Sequence, residues 1–314
     1  MNPYINLGRV EFVVTHQCTG NCKHCSVGTK LSKTGSKHIE YSKIEGMLTT
    51  LSKNFKIESV MCFGGEPLLH TEDVCGIMWE AKRCNIPKRQ IITNGYFSKK
   101  ESVIADVVYS LEEACLNQVL LSVDAFHQES IPLEPVYSFA KQVKTGGTIE
   151  IKLHPAWLVN EQADNSYNQT TKELLFKFRD LQLPISKGNN IFPSGNAAIY
   201  LAEYFEKKPI NLDQKCGEAP YSTKLDEVDT ISIFPNGDAM VCCFVIGNVY
   251  EEDIESIISR YNPYENSEML ALLNGGVKNL IEIANAKDIE VQTNNIYSAC
   301  SVCQDIMKRI QKNE

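Results

Sequence analysis

Three cysteines, at 18, 22 and 25, stand within THQCTGNCKHCSVG (residues 15–28), separated by three and then two residues. A disulfide uses two thiols, and a closed zinc site needs four ligands. No fourth cysteine lies nearby. Three thiolates on one loop can instead wrap one face of a small cubane, and a [4Fe–4S] cluster normally takes four. Three leave one iron open, and an open coordination site is what a catalytic metal centre keeps.

Such a loop needs a rigid frame, and the sequence offers one. Strand-like runs VEFVVT (10–15), SVMCF (59–63), RQIIT (89–93), QVLLSV (118–123), TIEIKLH (148–154) and GNNIFP (188–193) alternate with helical segments near 40–52, 72–84, 99–115, 134–144, 171–181 and 197–207. Regular strand–helix alternation implies parallel strands with helices on the outer face. The runs are continuously apolar, as expected of strands covered on both faces. Six such units make either an open doubly wound sheet or a partly closed barrel, and both gather function at the C-terminal strand ends. There lie the three cysteines, GGEP (64–67), TNG (93–95), SVDAFH (122–127), LHPAW (153–157) and PSGNA (193–197).

After about residue 210 the pattern changes. DTISIFPNGDAMVCCFV (229–245) reads as two strands joined at Asn236-Gly237, a hairpin signal. A helix at 251–261, a polar stretch and the terminal CSVCQDIMKRI follow. The expected division is 1–209 for the barrel and 210–314 for a small α+β unit.

Composition sets the outer limits. The 314 residues suffice for a large α/β unit plus a smaller one. With 31 Lys and Arg against 39 Asp and Glu, the formal charge is −8, which argues against a nucleic-acid partner. No apolar run is long enough to span a bilayer, and the first residues lack the pattern of a signal peptide. A cytoplasmic chain with twelve cysteines suggests metal rather than disulfides. Cys62, Cys75, Cys84 and Cys115 read as small buried hydrophobes.

Cys18-x3-Cys22-x2-Cys25 after the first strand, with Gly64-Gly65-Glu66-Pro67 after the second, resembles the radical S-adenosylmethionine (SAM) enzymes over residues 9–205. One departure is His24, where the family has an aromatic; imidazole is also flat. The resemblance implies a partial (β/α)6 barrel of TIM type. It implies a [4Fe–4S] cluster on Cys18, Cys22 and Cys25, whose open iron chelates SAM while the GGEP backbone holds the SAM ammonium. It further implies one-electron cleavage to methionine and a 5′-deoxyadenosyl radical, which takes hydrogen from a C–H bond. A flavodoxin- or ferredoxin-type donor would supply the electron. A structural zinc site completed by His16 or His24 would account for the cysteines but leave GGEP unexplained.

Other strand-end residues carry two readings each. Gly64, Gly65, Glu66 and Pro67 are assigned to the cofactor, although Glu66 alone would also suit a helix N-cap neighbour. Asn94 and Ser122 either contact SAM or satisfy strand ends. Asp124 suits a helix N-cap, yet its place after an apolar strand favours a catalytic pocket. His127 and His154 are packing residues by type and substrate contacts by position.

The late cysteines resemble that superfamily's auxiliary-cluster extension, SPASM, in its shortened "twitch" form. Gly237-x4-Cys242 and Ile246-Gly247-Asn248 carry the likeness, which implies a second [4Fe–4S] cluster on Cys216, Cys242, Cys300 and Cys303. Adjacent strand residues face opposite ways, so Cys243 should not share that cluster. It is then either core packing or a free thiol facing the substrate, where it would donate hydrogen in an epimerisation.

These readings predict hydrogen abstraction from a peptide, ending in epimerisation or cross-linking, or from a small metabolite. The alternative is a dehydrogenase using the auxiliary cluster as electron acceptor. From another class come a non-catalytic iron–sulfur carrier and a zinc-stabilised module. The polar stretch 159–172 is expected to be a binding loop or lid.

Overall fold

The computed structural model describes residues 2–28, 31, 37–207, 209, 211–218, 223–293 and 296–313. Five parallel strands, β1 (Ile5–Val13), β2 (Ser59–Phe63), β3 (Lys88–Thr93), β4 (Gln118–Leu121) and β5 (Glu150–Leu153), lie side by side in chain order. The first begins at Ile5, earlier than the apolar run predicts. Between them run α1 (Tyr41–Ile44) and α2 (Met47–Asn54), α3 (Thr71–Arg83), α4 (Glu101–Glu113), α5 (Ala125–Gln128) and α6 (Leu133–Gly146). The single helix expected at 40–52 is two pieces, because Gly46 takes a left-handed φ of 85° between them.

Alternation along each strand decides which face the helices cover. Val10, Phe12, Val60, Ile91, Val119 and Ile151 are buried, and Ile77, Ile104, Leu111, Phe139 and Val143 join them in one core from the facing helices. Each such side chain stabilises by roughly 1.5–3 kcal/mol. The opposite face is not apolar as expected. Glu11 stands opposite both Met61 and Ser232, and Gln90 stands opposite Gln118, which stands opposite Glu150. Gln90 donates to Gln118, Gln118 to Glu150, and the Ser232 hydroxyl bonds Glu11. A one-sided helical cover explains the difference.

The sixth strand is a broken one. Ile185 bridges Leu153 in parallel, and after Pro155 β6 (Ala156–Trp157) pairs in parallel with β7 (Asn189–Asn190) as a separate two-stranded sheet. Between them, the expected lid is partly helical: α7 (Ser166–Phe176) is capped by Asn165, whose side chain accepts from Asn168 N–H. The buried Asn168 amide bonds Leu158, Asn160 and Ala163, which fastens the loop down. Next comes α8 (Asn196–Tyr200). The whole is a mixed α/β partial barrel.

The boundary expected at 209/210 adjoins residues 208 and 210, outside the described residues. Beyond it, β8 (Val228–Ile233) pairs in parallel with β1. Then β9 (Asp238–Val241) and β10 (Phe244–Asn248) follow antiparallel, so β1–β5 and β8–β10 form one eight-stranded sheet. The Asn236-Gly237 turn falls where expected. After α9 (Ile254–Arg260), the "polar stretch" contains α10 (Ser267–Ala286), interrupted by non-helical Gly275 and Gly276; α11 (Ala299–Asn313) ends the chain. Asn and Gly inside α10 hid its period. Among the described residues no helix is long and apolar enough to cross a membrane. Cys62 is buried as expected, while Cys75, Cys84 and Cys115 are only partly so.

Candidate active site

The cysteine loop leaves the end of β1 and is tied to the barrel at both flanks. Cys18 and Cys22 are buried, and Cys25 is partly exposed. The Cys18 Sγ receives the Gly20 N–H at 3.4 Å and lies 3.7 Å from the Asn94 side-chain nitrogen at the end of β3. At the far side, Asn196 in α8 donates its side-chain amide to Cys22 O at 3.0 Å and its backbone N–H to Cys25 O at 2.9 Å. Asn196 lay within the PSGNA strand-end signal, but its grip on the loop was not foreseen.

GGEP extends the β1–β2 ladder towards that loop. Gly65 N–H bonds Thr15 O and Glu66 N–H bonds Gln17 O. A Cβ at Gly65 would collide with Gln17 O, so a side chain is excluded there. Glu66 is fully buried and accepts from Leu68 N–H at 3.0 Å, Thr93 Oγ1 at 2.7 Å and Asn94 N–H at 2.8 Å. Burial raises its carboxyl to about 7, against these three donors, which favour the ionised form. Its carboxylate therefore joins the ends of β2 and β3, while Pro67 opens a short 3-10 helix, Pro67–His70. Ser122 is buried at the next strand end, its N–H on Thr93 O at 2.9 Å.

Asp124 caps α5. One oxygen accepts from Phe126 and His127 N–H, and the other from Ala156 N–H and, at 2.8 Å, from the His127 ring. Burial alone would raise this carboxyl, but the His127 charge and hydrogen bond hold it at about 2. His127 is correspondingly raised, Asp124 outweighing its burial. The His24 ring stands 5.1 Å from Phe126 and 4.8 Å from His127, and burial lowers its pKa to about 4. Position 24 thus keeps a flat neutral ring. Donor atoms of Cys22, His24 and His127 lie within 4.8 Å of one another. His154 bonds Ser186 through Nδ1 at 2.7 Å.

The late cysteines converge. Val241 pairs with Phe244, so Cys242 and Cys243 are the two turn residues between β9 and β10, with Cys242 at φ 55°. Strand alternation does not separate them, contrary to expectation. Cys243 Sγ lies 3.8 Å from Cys303 Sγ, and Cys243 is also hydrogen-bonded to Cys242. Burial, Cys242 and Cys300 push the Cys216 thiol up to about 12. Cys300 and Cys303 share one face of the first turn of α11, three residues apart. The unforeseen α10 holds the Cys216 segment: Lys278 N–H bonds Leu212 O, and Gly276 packs on Gln214 O.

The donors fit an iron–sulfur group at the first loop. N–H groups aimed at a sulfur suit a thiolate ligand. Buried His24 Nδ1 and His154 Nε2 have no hydrogen-bond partner among the described residues, as expected where a bound group completes a pocket. At the late cluster, crowded thiols of raised pKa need a cation to ionise together.

A partial parallel barrel with a three-cysteine loop at its C-terminal rim defines an iron–sulfur barrel protein. Residues 12–153 match the profile of the Radical SAM superfamily. The similar curated proteins include "Probable GTP 3′,8-cyclase" of Saccharolobus islandicus strains L.S.2.15 / Lassen #1 and Y.G.57.14 / Yellowstone #1. Each is 24% identical over 213 residues, 63% of this chain and 64% of the relative. The chain thus spans just under two thirds of their length. Among solved structures, polyhistidine-tagged anSMEcpe with bound AdoMet is similar over 99% of this chain and 96% of that one, at 13% identity and TM-score 0.53. Native anSMEcpe with bound AdoMet is similar over 98% and 97%, at 13% identity and TM-score 0.50. Both are likenesses of fold.

Proposed function

We propose that the protein is a radical SAM enzyme acting on a C–H bond of a peptide or small metabolite. The observation that carries this is the joining of three elements at one rim: the cysteine loop, the glycine-bearing β2 end and Asn94, tied through Glu66. Cys18, Cys22 and Cys25 would hold the cluster; Gly64, Gly65, Pro67, Asn94 and Ser122 would line the place of SAM. When bound, the pair supplies one-electron cleavage of SAM, a radical able to take a hydrogen atom, and methionine. The electron comes from a flavodoxin- or ferredoxin-type donor.

This chain's own residues orient and exclude. Gly65 lets the backbone approach closely. Asp124 has both oxygens engaged, so it acts as a positioning residue for His127 and the turn at 124–127. His127 and His154 face the substrate side, the latter offering Nε2. The five late thiols support a second [4Fe–4S] cluster on Cys216, Cys242, Cys300 and Cys303, with Cys243 beside it. That cluster would accept an electron in a dehydrogenation, whereas a hydrogen atom from Cys243 would complete an epimerisation.

The names of the relatives favour a second reading, cyclisation of a purine nucleotide, to be tested with GTP as substrate. The closeness of Cys22, His24 and His127 favours a third, a zinc site without catalysis. One experiment separates the two radical readings from this third one. Anaerobically reconstituted protein with a strong reductant should hold about eight irons and cleave SAM to 5′-deoxyadenosine and methionine. A Cys18→Ala, Cys22→Ala, Cys25→Ala variant should keep about four irons and cleave none. Zinc in place of iron, or S-adenosylhomocysteine as the only product, refutes the radical reading.

A further inference from the structure

A second group of metal-ligating side chains lies outside the cysteine loop. His38 stands where the chain returns from that loop, in an antiparallel bridge with Thr15, and Ile39 N–H bonds Val14 O at 2.8 Å. His70 ends the 3-10 helix after GGEP, and Asp73 lies in the first turn of α3. The two imidazoles stack with centroids 4.0 Å apart and planes 11° apart. One Asp73 oxygen accepts from Tyr41 N–H at 2.9 Å; the other sits 3.6 Å from His38 Nε2, too far for a good hydrogen bond. His70 Nε2 is buried with no hydrogen-bond partner among the described residues. One ligand atom from each residue lies within 4.8 Å of the other two.

We propose that His38, His70 and Asp73 form a binding site for a divalent transition-metal ion of zinc type, separate from the iron–sulfur cysteines. A tetrahedral ion with bonds of about 2.1 Å needs ligands roughly 3.4 Å apart, which small side-chain rotations reach from here. Two imidazoles and one carboxylate select a borderline ion such as Zn2+ over Mg2+ or Ca2+, which prefer oxygen. Burial, with His38 beside it, lowers the His70 pKa, against Asp73, which raises it. The Tyr41 hydrogen bond orients the carboxylate from behind, as outer-shell partners do. The bound ion would staple the return arm of the cysteine loop to the start of α3, and water would fill its fourth position.

The test uses protein with its clusters reconstituted, dialysed anaerobically against micromolar ZnCl2, desalted and analysed for zinc and iron. Wild type should carry about one zinc per chain more than a His38→Ala, His70→Ala variant of equal iron content. Asp73→Asn keeps an oxygen for Tyr41 N–H, and should bind zinc at least about tenfold more weakly, the loss that even outer-shell changes cause. Zinc should also raise the wild-type unfolding midpoint, and EDTA should reverse the rise. Failure of wild type to take up zinc overturns the proposal whatever the variants do. Equal zinc in wild type and Asp73→Asn also overturns it.

Discussion

The backbone N–H of Asn94 donates to Glu66 Oε2 at 2.8 Å, joining the end of the third strand to the motif that follows the second. Thr93 Oγ1 reaches the other oxygen at 2.7 Å. Glu66→Gln replaces one acceptor by an N–H2 that must face a donor. The expected loss of folding stability is about 1–3 kcal/mol, read by chemical denaturation. If stability is unchanged while SAM binding falls, the carboxylate serves the cofactor directly and not the strand ends.

Asp124 and His127 give the fold an acid-sensitive joint. Asp124 is held at about 2 against an ordinary 3.8, so its contribution is present above pH 4 and is lost as pH falls towards 2. The shift corresponds to on the order of 2 kcal/mol. His127 is raised, so its share is present below its ordinary 6.5 and fades as pH climbs through the raised value. Asp124→Asn should therefore be less stable than wild type near pH 6, and the two should converge towards pH 2. Parallel stability curves would show that the pair is not coupled to folding.

Cys243 is the surplus thiol of the late cluster. With Cys216, Cys242, Cys300 and Cys303 as ligands, Cys243→Ala should keep about eight irons and still cleave SAM. If Cys243 returns a hydrogen atom to the substrate, wild-type product formed in deuterated buffer gains solvent deuterium and the variant makes no epimer. Loss of iron would make Cys243, not Cys242, the turn ligand.

Gly195 backs the third cysteine. At φ 55°, its added Cβ would stand 2.6 Å from Cys25 O. Gly195→Ala should displace Asn196 from Cys22 and Cys25, cost about 2 kcal/mol or more and lower the iron bound by the first loop. Full iron retention at unchanged stability would show that the loop does not depend on α8.

The parallel strands were legible because their apolar runs were short, regularly spaced and followed by chemistry-bearing turns. The polar face of Gln90, Gln118 and Glu150 was not, since Gln90 and Gln118 sat at the margins of apolar runs and Glu150 stood singly between Ile149 and Ile151. Cysteine spacing made the first loop readable at once. The Asp124–His127 pair was visible only as two candidates, because capping and catalysis use the same residue types. Gly275 and Gly276 broke the period of α10 and hid the helix that supports Cys216. The turn between β9 and β10 was missed because Cys242 and Cys243 lack the Asn-Gly signature that marked the hairpin before them. His70 and Asp73 are neighbours in sequence, but His38 lies far before them, and only folding completes the group.

The parallel pairing of Ile5 with Val228 and of Phe12 with Ile233 has a consequence for biosynthesis. β1 is made well before β8, so one of its edges has no partner until β8 has followed. An unpaired edge is open to association with other chains, and late long-range pairing slows folding. The nascent barrel thus stays open on one side until β8 has been made. A chain cut at residue 209 would keep the cysteine loop and GGEP but leave that edge bare.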